Sequence, residues 1–109
     1  MTLPDKPRLW GMDADHNLHP CYNMEEWARA YDWSTHLVDC TGNENICVST
    51  VFLGVDHNFY GEGAPLLFET MVFGGEQDGY QMRWSTYDEA VAGHKVITAS
   101  VFKLAEVKG

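Results

Sequence analysis

The run from residue 46 to residue 55 (ICVSTVFLGV) constrains the fold most, because it is apolar on both sides of a possible strand. Successive side chains of a strand point to opposite faces of a sheet. The two faces carry Ile46, Val48 and Phe52 on one side, and Val51, Leu53 and Val55 on the other. Because such strands are typical of a sheet covered on both faces, we expect 46–55 to be a central strand between two layers.

Further strands are predicted from alternation and turn residues. Residues 35–41 precede the central run across the turn 42–45 (GNEN), which predicts a hairpin. Residues 66–73 follow it, and the glycine-containing loop GGEQDG leads into residues 80–85. In this last strand three apolar residues alternate with Gln81 and Arg83, which predicts one buried and one solvated face; the three are Tyr80, Met82 and Trp84.

Residues 8–21 predict a separate pair of short strands around the polar turn 13–17. Pro20 places the second of these strands at a sheet edge, because proline cannot donate a ladder hydrogen bond. After this hairpin, Asn23 can cap a short helix, with Glu26 three residues later in a capping-box-like arrangement. The apolar face of this helix is expected to carry Met24, Trp27, Ala28 and Tyr31.

A second helix is predicted at the C-terminal end. Thr86 and Glu89 form a capping box, and an apolar stripe runs from there to about Leu104. Gly93 interrupts the stripe at a cost of about 1 kcal/mol relative to alanine, which a close approach to the sheet would explain. The expected fold is therefore α+β in one small domain, residues 1–109. It comprises an antiparallel meander of about four strands, an N-terminal hairpin, a short helix before the sheet and a C-terminal helix packed on it.

The charge balance disfavours two classes of partner. Sixteen acidic residues against seven basic ones give a net charge of −9, whereas nucleic-acid binding needs Lys and Arg to displace counterions. Direct nucleic-acid binding and binding to anionic membranes are therefore not expected. No apolar run reaches the roughly 20 residues of a membrane span, and the first residues lack the apolar segment of a secretory signal. We expect a cytoplasmic protein, in which Cys40 and Cys47 could face each other across a hairpin as thiols.

Three stretches together resemble a known group of proteins: VSTVFLGVDHNF, PLLFETMVFGG and RWSTYDEAVAGH. They are similar to the corresponding parts of a widespread group of short uncharacterised proteins of tailed bacteriophages and prophages. The resemblance covers roughly residues 20–97. It implies a phage-encoded accessory protein that acts in the cytoplasm of a bacterial host, and it implies no activity or site residues.

Asp56, His57 and Asn58 follow the central run, and strand ends commonly position working residues. His57 could act as a base or ligand if Glu69 and His94 converge on it, which depends on the strand register. In the alternative interpretation, Asp56 and Asn58 organise the turn and His57 bonds locally. If the hairpin after residue 73 pairs residues whose numbers sum to 152, Glu69 instead faces Arg83.

Two other segments carry residue types found at functional sites. The loop 57–65 carries Phe59 and Tyr60 among glycines, and exposed aromatic residues are typical interface anchors; alternatively they fold back on the core. The series His16, His19 and Cys21 could ligate a metal, but it lacks a second pair at zinc-site spacing and is more typical of turn residues. No phosphate-binding loop or nucleophile motif is present, so an enzyme is unsupported, and we expect no cofactor and no metal.

Two functions therefore compete. The first is a non-catalytic binding protein that engages a host protein or complex, in counter-defence or host takeover, through the aromatic loop 57–65. The second is a small-molecule-binding, sponge-like protein with a pocket near His57, Glu69 and His94, which a homodimer could share. A small hydrolase or metalloenzyme using the same residues is a weaker third alternative.

Overall fold

The computed structural model describes residues 7–32, 36–58 and 63–108, and in these ranges the fold is α+β. Its elements are β1 (Leu9–Met12), β2 (Leu18–Cys21), α1 (Met24–Ala30), β3 (Leu37–Gly42), β4 (Cys47–Phe52), β5 (Phe68–Phe73), β6 (Gln81–Trp84) and α2 (Tyr87–Lys108). No helix in these ranges combines the length and the apolar character that crossing a bilayer requires.

The sheet is the predicted antiparallel meander, with the strand order β3-β4-β5-β6. Strands β1 and β2 form a separate two-stranded sheet, as the N-terminal hairpin predicted. Strand β4 ends at Phe52, three residues earlier than expected. The reason is Gly54, whose φ of 74° lies in the left-handed region and turns the chain out of the ladder. The Gly54 carbonyl then accepts a hydrogen bond from the Trp10 N–H of β1, at 2.8 Å.

The expectation that the central strand is covered on both faces is wrong. Helix α2 packs on one face of the sheet, where Val48, Thr50 and Phe52 of β4 are buried. On the other face, Cys47 and Val51 are only half-buried. Within the described ranges α1 packs on the β1–β2 hairpin and meets this sheet only at the end of β4, so α2 is the helix that covers a face of the sheet.

Among the residues that the structure describes, the core under α2 consists of two apolar clusters. One contains Val48, Val72, Ile97 and Val101, and the other contains Phe52, Leu67, Phe68 and Ala90. Trp84 of β6 packs against both clusters. Between them along β4 and β5 lie Thr50 and Thr70, which are fully buried, so a polar layer divides the core.

Helix α1 begins as predicted, since Asn23 Oδ1 accepts the Glu26 N–H at 2.8 Å. Its expected apolar face is only partly correct, because Met24 is 63% exposed and Ala28 is exposed. Trp27 instead donates its indole N–H to the Gly54 carbonyl at 3.0 Å. Tyr31, the C-terminal cap, donates its hydroxyl to the Phe52 carbonyl at 2.7 Å. These two bonds tie α1 and its C-terminal cap to the end of β4 and to Gly54 just beyond it. The Tyr31 hydroxyl is partly buried there, and this burial raises its pKa.

Helix α2 begins at the predicted capping box. The Glu89 N–H donates to Thr86 Oγ1 at 3.1 Å, and the Thr86 N–H donates to Glu89 Oε1 at 3.0 Å. The close approach expected at Gly93 is confirmed: Gly93 is buried, and a Cβ added to it would overlap the indole ring of Trp84. Glycine is therefore the residue that lets α2 lie directly on β6.

Candidate functional site

The three residues expected to form a pocket do not converge. Glu69 pairs with Arg83 in the register that sums to 152, and Arg83 Nε donates to Glu69 Oε2 at 3.0 Å. Glu69 alternates with the buried residues of β5 that face α2, so it lies on the sheet face away from α2. His94 belongs to α2 on the other face. The sheet therefore separates Glu69 from His94, and the expected pocket near His57, Glu69 and His94 is not formed.

The residues after the central strand make local bonds. Asp56 is 2% exposed, and its Oδ1 accepts the N–H of Asn58 at 2.7 Å and of Leu66 at 2.9 Å. His57 Nδ1 lies 2.8 Å from the Val55 carbonyl, which can only accept. The Asn58 side chain donates to the Ala64 carbonyl at 3.1 Å. Asp56 and Asn58 thus organise the loop, as in the alternative interpretation, whereas Phe59 and Tyr60 lie outside the described residues.

His16, His19 and Cys21, which could have ligated a metal, do not come together. His16 stacks on Tyr87 of α2 with ring centroids 3.7 Å apart. His19 Nδ1 lies 4.0 Å from the Sγ atom of Cys21. Across the described part of the chain, no group of three or more His, Cys, Asp or Glu side chains is placed to hold a metal ion. His16 therefore fastens the tip of the N-terminal hairpin to α2.

His94 is the buried polar residue with the most extensive contacts under α2. It is 2% exposed, and its Nδ1 lies 2.7 Å from Thr50 Oγ1. Thr50 Oγ1 lies 2.6 Å from Thr70 Oγ1, which accepts the indole N–H of Trp84 at 2.9 Å. The bonds join α2 to β4, β5 and β6. They form a polar chain through the layer that divides the two apolar clusters.

The other side of the His94 ring faces strand β3. Its Nε2 lies 2.9 Å from Thr41 Oγ1 and 3.6 Å from Asp39 Oδ2. Asp39 is about half exposed, so this end of the chain reaches the surface. The ring therefore connects a buried hydroxyl to an exposed carboxylate.

One order of proton donors satisfies every member of this chain. The Trp84 N–H can only donate, so Thr70 accepts from it and turns its own O–H toward Thr50. Thr50 then donates to Nδ1 of His94, which must carry no proton. If His94 Nδ1 instead donated to Thr50, and Thr50 donated to Thr70, the hydroxyl proton of Thr70 would lack an acceptor among the bonds of the described residues. The imidazole proton consequently sits on Nε2, directed toward Thr41 and Asp39.

We expect neutral His94 to be the Nε2–H tautomer in solution. Long-range nitrogen–proton correlation spectra distinguish a protonated from an unprotonated ring nitrogen, and should show an unprotonated Nδ1. Thr50→Val removes the donor to Nδ1 and should shift that resonance. Ser49→Ala, on the same strand but the opposite face, should leave it unchanged. A protonated Nδ1 in the neutral ring would contradict the donor order.

A hydroxyl, an imidazole and a carboxylate in series also occur at sites of nucleophilic catalysis. Here Thr50 is fully buried, and its hydroxyl is already bonded to His94 and Thr70. No substrate carbonyl could approach that oxygen without opening the core. The arrangement is suited to fixing α2 on the sheet rather than to attacking a substrate.

An apolar groove, which sequence analysis did not predict, lies between β6 and α2. It consists of two adjoining cavities of about 490 and 330 Å³ that share Tyr80, Val96 and Ile97. Tyr80 is 45%, Met82 is 44% and Val96 is 69% exposed. The remaining lining residues are Gln77, Trp84, Glu89, Ala92, Gly93, Ser100, Val101 and Leu104. We call this feature the β6–α2 groove.

The expectation that Tyr80, Met82 and Trp84 form a buried face is wrong for Tyr80 and Met82, which are exposed. The alternation correctly indicates that Met82 and Trp84 share one side, since they pair with Thr70 and Phe68 on the face toward α2. Among the three, only Trp84 is well covered, because α2 passes over it at Gly93. β6 is the last strand of the sheet, so in the described ranges nothing lies beyond it to cover Tyr80 and Met82.

Comparisons with protein-family models, with curated proteins and with solved structures found no match to this chain. The kinship with phage proteins that the sequence suggests stays an expectation.

Proposed function

We propose that the chain is a non-catalytic binding protein that engages a partner protein through the β6–α2 groove. The observation that carries this proposal is the exposure of Tyr80, Met82 and Val96 around adjoining cavities. Contiguous exposed apolar surface on a small protein is typical of interaction sites. Aromatic residues and methionine are also enriched in the buried centres of interfaces.

The shape of the site favours an extended segment of the partner. Among the described residues β6 pairs with β5 along one edge and with no strand along the other, so this second edge can accept an added strand. Apolar side chains of that segment would enter the cavities beside Val96, and Glu89 and Gln77 would lie at the polar rim. The net charge of −9 favours a partner with basic residues flanking the apolar ones.

The phage resemblance supplies the context for this binding activity. A phage accessory protein would act in the host bacterial cytoplasm, and its partner would be a host protein or complex. Counter-defence or host takeover would be the purpose of such an interaction. The binding residues of this proposal lie on β6, at Tyr80 immediately before it and on α2, rather than in the loop 57–65.

Val96→Asp is expected to weaken partner binding at least tenfold. A buried apolar side chain contributes about 1.5–3 kcal/mol, and about 1.4 kcal/mol corresponds to a tenfold change in affinity. A photo-crosslinking amino acid in place of Met82 would first identify the partner in host cells. The partner would then be purified, and calorimetry would measure its affinity for the unaltered protein and for the variant. Because Val96 is 69% exposed, the aspartate should leave the fold intact, which circular dichroism would check.

Ala99→Asp is the matched control, since Ala99 is exposed on the same helix and does not line the groove. It should leave the affinity within about twofold, given that it adds the same charge outside the contact surface. Equal weakening by both variants would indicate a charge effect. If the double variant Val96→Asp/Met82→Glu binds the partner as tightly as the unaltered protein, the groove is excluded as the binding surface.

A small-molecule ligand is the second candidate, now placed in the groove instead of at His57, Glu69 and His94. The larger cavity, at about 490 Å³, is within the range of roughly 300–1,000 Å³ that small-molecule sites occupy. Its lining is largely apolar, so the ligand class would be apolar. Native mass spectrometry of freshly purified protein would detect a bound molecule, and the Val96→Asp variant should be purified without it.

A further inference from the structure

Cys40 and Cys47 form a thiol pair on the sheet face away from α2. Cys40 of β3 lies opposite Ser49, and Cys47 of β4 lies opposite Gly42, so the two cysteines are diagonal neighbours across the hairpin. Their Sγ atoms are 3.1 Å apart. Cys40 is exposed and Cys47 is half-buried. The two thiols therefore face each other at a position that solutes can reach.

We propose that Cys40 and Cys47 are a modification site, at which small disulfides of the glutathione class form a reversible intramolecular disulfide. Shortening the separation from 3.1 Å to a covalent S–S distance of about 2.05 Å requires a movement of about 1 Å. β3 is an edge strand with a register irregularity between Leu37 and Asp39. An edge strand has one neighbour, so it can move by this amount more readily than a central one.

The reaction balances by two exchange steps. One protein thiol loses its proton, and its thiolate attacks a sulfur of the small disulfide, giving a mixed disulfide and one small thiolate. The second protein thiol then loses its proton and attacks the protein sulfur of the mixed disulfide, releasing the second small thiolate. Two protein thiols are oxidised, and one small disulfide is reduced to two thiols that take up the two protons. Excess small thiol reverses both steps.

The surroundings of Cys40 set the conditions for the first step. The hydrogen bond with Cys47, together with burial and the negative charge of Asp39, raises the pKa of the Cys40 thiol. Because the thiolate is the attacking species, we expect the reaction to accelerate as the pH is raised. Once a mixed disulfide exists, the neighbouring sulfur is already in place, so the second step should be much faster than the first.

Closure would fasten the edge strand to the sheet. On the opposite face of β3, Thr41 and Asp39 approach His94. A covalent link from Cys40 to β4 restricts the strand that carries both of these residues. Amide hydrogen exchange in β3 should therefore slow on oxidation and recover on reduction.

The test treats freshly reduced, desalted protein with oxidised glutathione and follows its mass. We expect the mass of the protein to fall by that of two hydrogen atoms, and peptide mapping should identify a disulfide between Cys40 and Cys47. Cys40→Ser and Cys47→Ser should each stop at one stable glutathionyl adduct, because no second thiol is in reach. Cys21 is an internal control: it is 2% exposed, and burial raises the pKa of its thiol, so it should stay unmodified.

Three outcomes would overturn the proposal. They are stable glutathionyl adducts on Cys40 or Cys47 in the unaltered protein, a disulfide that includes Cys21, and disulfide-linked dimers as the main product. Unchanged hydrogen exchange in β3 after closure would remove the proposed effect on the edge strand. None of these results bears on the β6–α2 groove, which lies at the other edge of the sheet.

Discussion

Replacing His94 with leucine is expected to lower the free energy of unfolding by about 3 kcal/mol, because a buried group left without its hydrogen-bond partner costs about 1–3 kcal/mol. The leucine fills most of the space of the imidazole and makes no hydrogen bond. Thr50 then has no acceptor for its proton, and the chain from Trp84 through Thr70 ends at an unsatisfied hydroxyl. Chemical denaturation of the two proteins would measure the difference.

Two further variants separate the buried chain from a general effect of the substitution. Thr41→Val removes the partner of Nε2 at an exposed position, so it should cost less than about 1 kcal/mol. Thr50→Val combined with His94→Leu should cost less than the sum of the single changes, since it removes both members of one bond. Strict additivity, or a loss below about 1 kcal/mol for His94→Leu, would contradict the role assigned to the chain.

Gly93→Ala is expected to destabilise the protein by about 2 kcal/mol, although alanine favours a helix over glycine by about 1 kcal/mol. The added methyl group would overlap the indole ring of Trp84. Helix α2 and β6 must then separate, or the ring must leave its bond with Thr70. Denaturation would measure the loss, and tryptophan fluorescence should shift to longer wavelength as the ring becomes more exposed.

The sign of this effect should reverse when the ring is absent. In a Trp84→Leu background the overlap is removed, so Gly93→Ala should be neutral or stabilising through its helix propensity. Ala99→Gly, at an exposed position of the same helix, measures the propensity term alone. If Gly93→Ala destabilises both backgrounds equally, the contact with Trp84 is not the reason for the glycine.

Sequence reasoning succeeded where a structure is determined by neighbouring residues. The caps at Asn23 and Thr86 were predictable, because each bond spans three residues. The pairing of Glu69 with Arg83 was predictable as a consequence of one short turn, which fixes the register of both strands. The fold class followed from the order of these elements.

The predictions failed where the outcome depends on what lies against a face. Alternation along 46–55 indicates which side chains share a side, but it does not tell whether a helix, a loop or solvent lies over that side. The exposure of Tyr80 and Met82 was missed for the same reason. A signal was available for the His94 chain: Thr50 and Thr70 occupy positions that alternation assigns to the buried faces of two adjacent strands. Two buried hydroxyls need a partner, and His94 supplies it.

Apolar contacts between a helix and a sheet are non-directional, so one aliphatic side chain can take the place of another after a small displacement. The polar layer under α2 does not have this freedom. If α2 slid by one turn, about 5.4 Å, Ala90 or Thr98 would take the place of His94, and neither side chain is long enough to bond Thr50 on one side and Thr41 on the other, as the two ring nitrogens of His94 do. The layer therefore permits a single alignment of the helix along the strands, and with it a single position of Val96 relative to Tyr80.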